Sequence, residues 1–175
     1  IESLSKSLPY DWFIYVKEHP ATLNDRLRPK NYFNKIKSLP NVKLVNVNID
    51  SKELVKNSNM VCVVSGTTGW QAILNNKPLL EFRSNLWSIL GLSTVCTDLD
   101  NITEAFLKEI NRFNNIDKEE VLKRILIYLE IINKFCFKSK YPEVLFYDRE
   151  GTDLENKICG NEIAEYFNKI YEFKK

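Results

Sequence analysis

The fold class this sequence predicts is α/β, a Rossmann-like parallel sheet flanked by helices, and three observations lead there. Short apolar runs rich in β-branched and aromatic residues alternate with segments of helical periodicity, the order that a parallel sheet with covering helices produces. The runs lack the in-out alternation of half-exposed strands and match strands buried on both faces. At 175 residues, 44% hydrophobic and 27% charged, the chain has the composition of a core-forming domain, which argues against disorder, collagen-like repeats and a coiled-coil rod. One compact domain over residues 1–175 is expected, with a C-terminal helix from about residue 160 packing on it.

Taken in order, strands are expected at residues 12–17, 42–47, 60–65, 78–82 and 93–97. Pro29 suits the first turn of a helix over 30–38, because its fixed φ fits and its missing N–H would be unpaired there. Asp50 with Glu53, and Asn101 with Glu104, form capping-box patterns ahead of apolar helical segments. Asp117 with Glu120 opens a longer helix. There Val121, Ile125, Tyr128, Ile132 and Phe135 recur at helical spacing and Leu122, Leu126 and Leu129 widen the stripe, so that face is expected to be mostly buried. An irregular stretch is expected from Tyr141 to Gly160, then a closing helix over 161–173.

The charge balance is small, 25 Lys and Arg against 23 Asp and Glu, a net charge of +2. That gives no electrostatic case for nucleic acid as a partner. Four cysteines without a C-x-x-C pair and a single histidine, His19, exclude a His-rich zinc site and fit reduced thiols in a cytoplasmic protein. The greasiest segment, 121–137, carries Lys123, Arg124, Glu130 and Lys134, so the chain is not expected to span a membrane. It begins Ile1-Glu2-Ser3 without an initiator Met and reads as an internal piece of a longer polypeptide.

Glycine is scarce, five in the chain, yet Gly66 and Gly69 fall together directly after the third strand. In Val64-Ser65-Gly66-Thr67-Thr68-Gly69-Trp70-Gln71-Ala72 a buried strand turns tightly into an amphipathic helix. The free first-turn amides, the helix dipole and the absence of a Cβ at glycine suit such an end to a phosphate. The same turn capped by its own hydroxyls, with no ligand, is the competing reading. The pattern is neither a dinucleotide fingerprint nor a Walker loop. Lys17-Glu18-His19-Pro20 follows the first strand and so falls at the carboxyl edge of the sheet, where open α/β sheets bind ligands. A neutral imidazole there donates to a phosphate oxygen and Pro20 stiffens the turn that aims it.

Asp98-Leu99-Asp100 matches the D-x-D of metal-dependent sugar transferases, but the helix that follows makes capping the preferred role. Arg26, Arg28, Lys30, Lys35 and Lys37 read as a solvated helix face. Trp70 and Trp87 read as core or rim aromatics.

On Val16-Lys17-Glu18-His19-Pro20, Ser65-Gly66-Thr67-Thr68-Gly69-Trp70-Gln71-Ala72 and Asn76-Lys77-Pro78-Leu79-Leu80-Glu81-Phe82, the chain resembles the C-terminal half of a GT-B glycosyltransferase of the capsule polysaccharide biosynthesis family, which includes the capsular Kdo transferases. The layout is also similar to UDP-sugar 2-epimerases and, at the His-Pro element, to sialyltransferases and CDP-glycerol glycerophosphotransferases. The resemblance implies a glycosyltransferase whose CMP- or UDP-sugar donor lies on this half. Its phosphate and nucleotide would be held by Lys17, His19, Pro20, Ser65, Gly66, Thr67, Thr68 and Gln71. It implies no metal and no cofactor beyond the nucleotide-sugar substrate. Acceptor binding, for a saccharide or glycolipid, and the catalytic acid or base would belong to the N-terminal half. Peripheral association with the cytoplasmic membrane face is compatible with that role. The family shows Glu where this chain has Gln71, which keeps an acceptor oxygen but no charge. That departure leaves a non-catalytic nucleotide- or partner-binding domain open, beside the epimerase-like and glycerophosphotransferase alternatives.

Overall fold

In the computed structural model, residues 1–19, 28–136, 140 and 152–173 are described. The chain divides into two compact units, Ile1–Arg124 and Ile125–Lys175.

Among its described residues the first unit carries five short strands: β1 (Ile14–Val16), β2 (Val42–Leu44), β3 (Val61–Val63), β4 (Leu79–Glu81) and β5 (Thr94–Val95). Each lies inside a segment the sequence predicts, trimmed at both ends except β2, which keeps its expected start at Val42. All pairings are parallel. β1 pairs with β2, Tyr15 opposite Lys43, and β4 lies between β3 and β5, with Leu80 opposite both Cys62 and Thr94. The expectation of a Rossmann-like α/β fold is borne out, with the sheet in two parallel segments ordered 2-1 and 3-4-5.

The helices of this unit are α1 (Glu2–Ser7), α2 (Tyr32–Lys37), α3 (Ser51–Asn57), α4 (Thr67–Leu74) and α5 (Ile102–Asn115). β4 is buried on both faces, as a central parallel strand must be. Leu80 turns to a cluster with Leu4, Cys96 and Ile102, against which Leu8, Ile14, Met60, Phe82 and Ala105 pack. This layer therefore joins α1 and α5 to the sheet. α2 is tied to it at the surface by the Lys35–Glu2 ion pair at 2.9 Å. α3 packs against α4, and α4 in turn against β3 and β4 through buried Gly69, Ala72 and Ile73.

Buried carboxylates fix two joints. Glu109 on α5 is wholly buried and accepts from the Leu79 amide at 2.8 Å and the Thr94 hydroxyl at 2.9 Å, so the helix is bonded to two strands at once. Its charge is paired with Arg112, at 2.6 and 2.9 Å. Glu81, the last residue of β4, is equally buried and accepts from Asn85, Ser88 and Ser93.

Local starts differ in part from the sequence reading. Asp50 caps α3, accepting from the Lys52 amide at 2.9 Å. Asn101 does not cap α5. Its amide donates to Asp98 at 2.7 Å, while Asp98 caps the 3-10 turn Leu99–Asn101 by accepting from the Asp100 N–H at 3.0 Å. The D-x-D motif is thus a capping element, as the helix after it suggests.

Helix α6 (Lys118–Phe135) spans the division between the units. Its apolar stripe is not mostly buried: Ile125 is the buried residue, whereas Leu122 and Leu126 are 57% and 56% exposed and Leu129, Ile132 and Phe135 are exposed as well. Periodicity reports that a helix has an apolar side, and among the described residues the burial it implies is found at Ile125 alone. In the second unit, α7 (Asp153–Phe173) begins well before residue 161. A Thr-x-x-Glu box explains the earlier start: the Glu155 carboxylate accepts from the Thr152 amide at 2.9 Å and the Glu155 amide donates to the Thr152 hydroxyl at 3.3 Å. Gly160 lies inside this helix, where a glycine is tolerated at a cost of about 1 kcal/mol relative to Ala. No helix among the described residues is long and apolar enough to cross a membrane.

Candidate functional site

Two loops carry the residues singled out in the sequence, and each leaves the carboxyl end of a parallel strand. After β3 the chain runs through exposed Val64, Ser65 and Gly66 into α4. Gly66 is the N-cap, at φ 112° and ψ 160°, a region that side chains with a Cβ rarely enter, and no side chain caps the helix. Nothing lies within 4 Å of the place a Cβ would take, so glycine is required there by backbone conformation and not by crowding. The Gly69 amide closes the turn onto the Gly66 carbonyl at 3.2 Å. Thr67 is exposed and Thr68 half-buried in the first turn. The competing expectation, hydroxyls capping their own helix, is not what the turn does.

Gly69 serves a different purpose. It is buried beneath Trp87, whose Cζ2 lies 2.9 Å from the position of a Cβ. Trp87 belongs to the 3-10 turn Leu86–Leu90 after β4. Its Nε1 is buried and, like the Oε1 of Gln71, has no hydrogen-bond partner among the described residues. Gln71 follows one turn into α4 and lines a groove of about 330 Å³ between α3 and α4, with Asp50, Lys52, Glu53, Lys56, Leu74 and Asn75. An amide oxygen withheld from water with no donor is costly unless a further group supplies one.

The second loop follows β1. Lys17 and Glu18 are half-buried and His19 is exposed. Glu18 accepts from Arg28 at 2.8 Å and from the Tyr32 hydroxyl at 2.7 Å, which ties the strand end to the start of α2. Burial, then the hydrogen bond to Glu18, raises the Tyr32 pKa, so the phenol stays protonated as a donor. Arg28 also stacks on the Tyr32 ring, 4.6 Å from its centroid. Pro20 and Arg26 lie outside the described residues.

Residues 1–127 match the family model of capsule polysaccharide biosynthesis proteins. The chain belongs to this family. The match covers the first compact unit and so contains both loops, every strand and helices α1 to α5. No curated protein and no solved structure gives a significant match. For this capsule biosynthesis protein, then, family membership and site geometry come from the same 127 residues.

Sequence reasoning passed over Glu81, Asn85 and Ser88. A lone Glu at the end of an apolar run gives no sign of its partners, which lie four to twelve residues away on a loop. The run Glu81-Phe82-Arg83-Ser84-Asn85 held the one available hint, a charge where a buried strand should be apolar.

Proposed function

We propose that this family member is a glycosyltransferase of capsule or surface polysaccharide assembly, of the capsular Kdo-transferase type, and that its first unit is the donor-binding half of a GT-B fold. The observation that carries the proposal is the uncapped start of α4, with Gly66 at positive φ and open space above it. The donor is a CMP- or UDP-sugar. Its phosphate lies over the first-turn amides and the hydroxyls of Ser65, Thr67 and Thr68, where unpaired N–H groups and the helix dipole favour an anion. His19, after β1, donates to the same phosphate, with Lys17 and Pro20 shaping that side of the cleft. The unpartnered Oε1 of Gln71 accepts from a sugar hydroxyl of the nucleotide.

In transfer, negative charge grows on the leaving phosphate as its bond to the anomeric carbon of the sugar breaks and that carbon bonds to an acceptor oxygen, whose proton passes to the group that activates it. Preorganised amides and an imidazole stabilise that charge more in the transition state than in the ground state, which is what accelerates the step. The saccharide or glycolipid acceptor and the group that activates it belong to the other half of the fold.

Calorimetry of the chain against CMP, CDP, UMP and UDP tests this reading. Binding of one base series with a Kd of about 1 mM or tighter is expected, as is competition by inorganic phosphate. No heat with any of the four at millimolar concentration, in a folded sample, would overturn it.

A further inference from the structure

A carboxylate with no cation beside it sits at the end of β4. Glu81 is 0% exposed, and among the described residues no Lys or Arg lies within ion-pair distance of it. Its Oε1 accepts from the Ser88 hydroxyl at 2.9 Å and from Ser93, and its Oε2 accepts from the Asn85 amide. Burying a charge on neutral donors is expensive, and an apolar residue would fill a strand position at lower cost. The donors explain where the gain lies: all three come from the connection between β4 and β5, which has no strand ladder of its own.

Two contacts run from that connection to the Gly66 turn. The Asn85 amide that bonds Glu81 also faces the Val64 carbonyl, at 3.5 Å, and the Arg83 carbonyl, at 2.9 Å. Val64 is the residue between β3 and Ser65. Ser88, held by Glu81, accepts from the Asn85 N–H at 2.7 Å and so closes the 3-10 turn that carries Trp87. Trp87 in turn covers Gly69, in the first turn of α4. One buried carboxylate thus braces the turn from both sides, at the strand that enters it and at the helix that leaves it. We infer that Glu81 is a positioning residue for the Ser65–Gly69 turn, acting through Asn85 on Val64 and through Ser88 and Trp87 on Gly69. The nucleotide arm of the test rests on the donor-phosphate reading above; the exchange arm does not.

Glu109→Gln is the control, since Glu109 is as deeply buried but braces α5 against β4 and β5. In the full chain at low temperature, with folding checked by circular dichroism, amide hydrogen exchange at Gly69 to Gln71 is followed without ligand. Relative to the slowest-exchanging amides of the same variant, which report global unfolding, Glu81→Gln should speed it at least tenfold over wild type, and Glu109→Gln should leave it within about twofold. If wild type binds a nucleotide, Glu81→Gln should raise the Kd tenfold or more while Glu109→Gln does not. Should Glu81→Gln fail to fold, Asn85→Ala, which removes the link to Val64, carries the same expectations. Exchange at these amides unchanged in the folded variant, or accelerated equally by the control, overturns the inference. A wild type that binds no nucleotide while the exchange result holds would sink the donor reading alone.

Discussion

Trp87 occupies the volume that a side chain at residue 69 would need: the ring is 2.9 Å from an ideal Cβ on Gly69, closer than real Cβ atoms come to carbon. In an unconstrained helix Gly69→Ala would stabilise by up to about 1 kcal/mol, because glycine loses more backbone freedom on folding. Here it forces a packed indole to move, and overpacking costs about 1–3 kcal/mol. The clash should win, so Gly69→Ala is expected to lower the urea midpoint. In a double-mutant cycle Trp87→Leu should return part of the loss, and strict additivity of the two changes would refute the contact.

Gly66 should resist substitution for the opposite reason. Space is open around it, yet φ of 112° with extended ψ is a conformation other residues adopt only under strain, worth about 1–3 kcal/mol. Gly66→Ala is therefore expected to be destabilising by that amount, measured by urea unfolding, and no compensating cavity-forming change elsewhere should rescue it. A neutral result would mean that the turn relaxes to another geometry.

These two glycines show how far the sequence could be read. Their clustering after an apolar run marked the strand-to-helix turn because a buried parallel strand, a tight turn and an amphipathic helix each leave a local trace. What separates the two, strain at Gly66 and crowding at Gly69, depends on a tryptophan eighteen residues on, and no local pattern encodes it. The same holds for Glu81 and Glu109, whose partners are tertiary. The stripe of α6 is exposed where burial is expected because amphipathic spacing fixes a helix and its apolar side without saying what covers it. The Thr152–Glu155 box, by contrast, is local: a Thr three residues before a Glu is a start signal that the sequence itself carries.

Glu109 should prove among the most sensitive positions in the first unit. Removing the carboxylate strands the Arg112 charge beside it and leaves the Leu79 amide and Thr94 hydroxyl without an acceptor. Breaking a buried pair on one side costs about 3–5 kcal/mol. Glu109→Ala is expected to lose most of that in chemical denaturation. A loss below about 1 kcal/mol would show that water re-satisfies the site.

At the surface, Glu2 gives a pH-dependent signature. Hydrogen bonds from Lys35 and then Lys6 lower its pKa from 4.5 to about 2. A carboxyl with a depressed folded pKa favours the native state above its unfolded value, and that contribution is lost as the pH falls from about 4.5 through about 2. The pair is exposed and screened, so its effect on stability is small and salt-sensitive. Carbon-detected titration should find the Glu2 midpoint near 2 in low salt. Lys35→Gln should move it upward; an unmoved midpoint would mean that α1 and α2 are not joined by this pair.

His19 separates phosphate binding from packing most cleanly. The imidazole is exposed, so its truncation removes little buried surface and His19→Ala is expected to leave thermal unfolding close to wild type. If it donates to the donor phosphate, nucleotide affinity should fall by about 1.5–3 kcal/mol, the range for a hydrogen bond to a charged group. Thr67→Val is the companion change on the other loop, deleting a hydroxyl from the first turn of α4 while nearly keeping its shape. Its affinity loss should be smaller, about 0.5–1.5 kcal/mol, because the amides of the turn remain in place. Combining the two distinguishes one shared phosphate from two unrelated surfaces: residues that touch the same group couple in a double-mutant cycle, whereas independent sites add. Calorimetric affinities and melting temperatures on the four proteins of the cycle decide it. Unchanged binding by His19→Ala would remove His19 from the site.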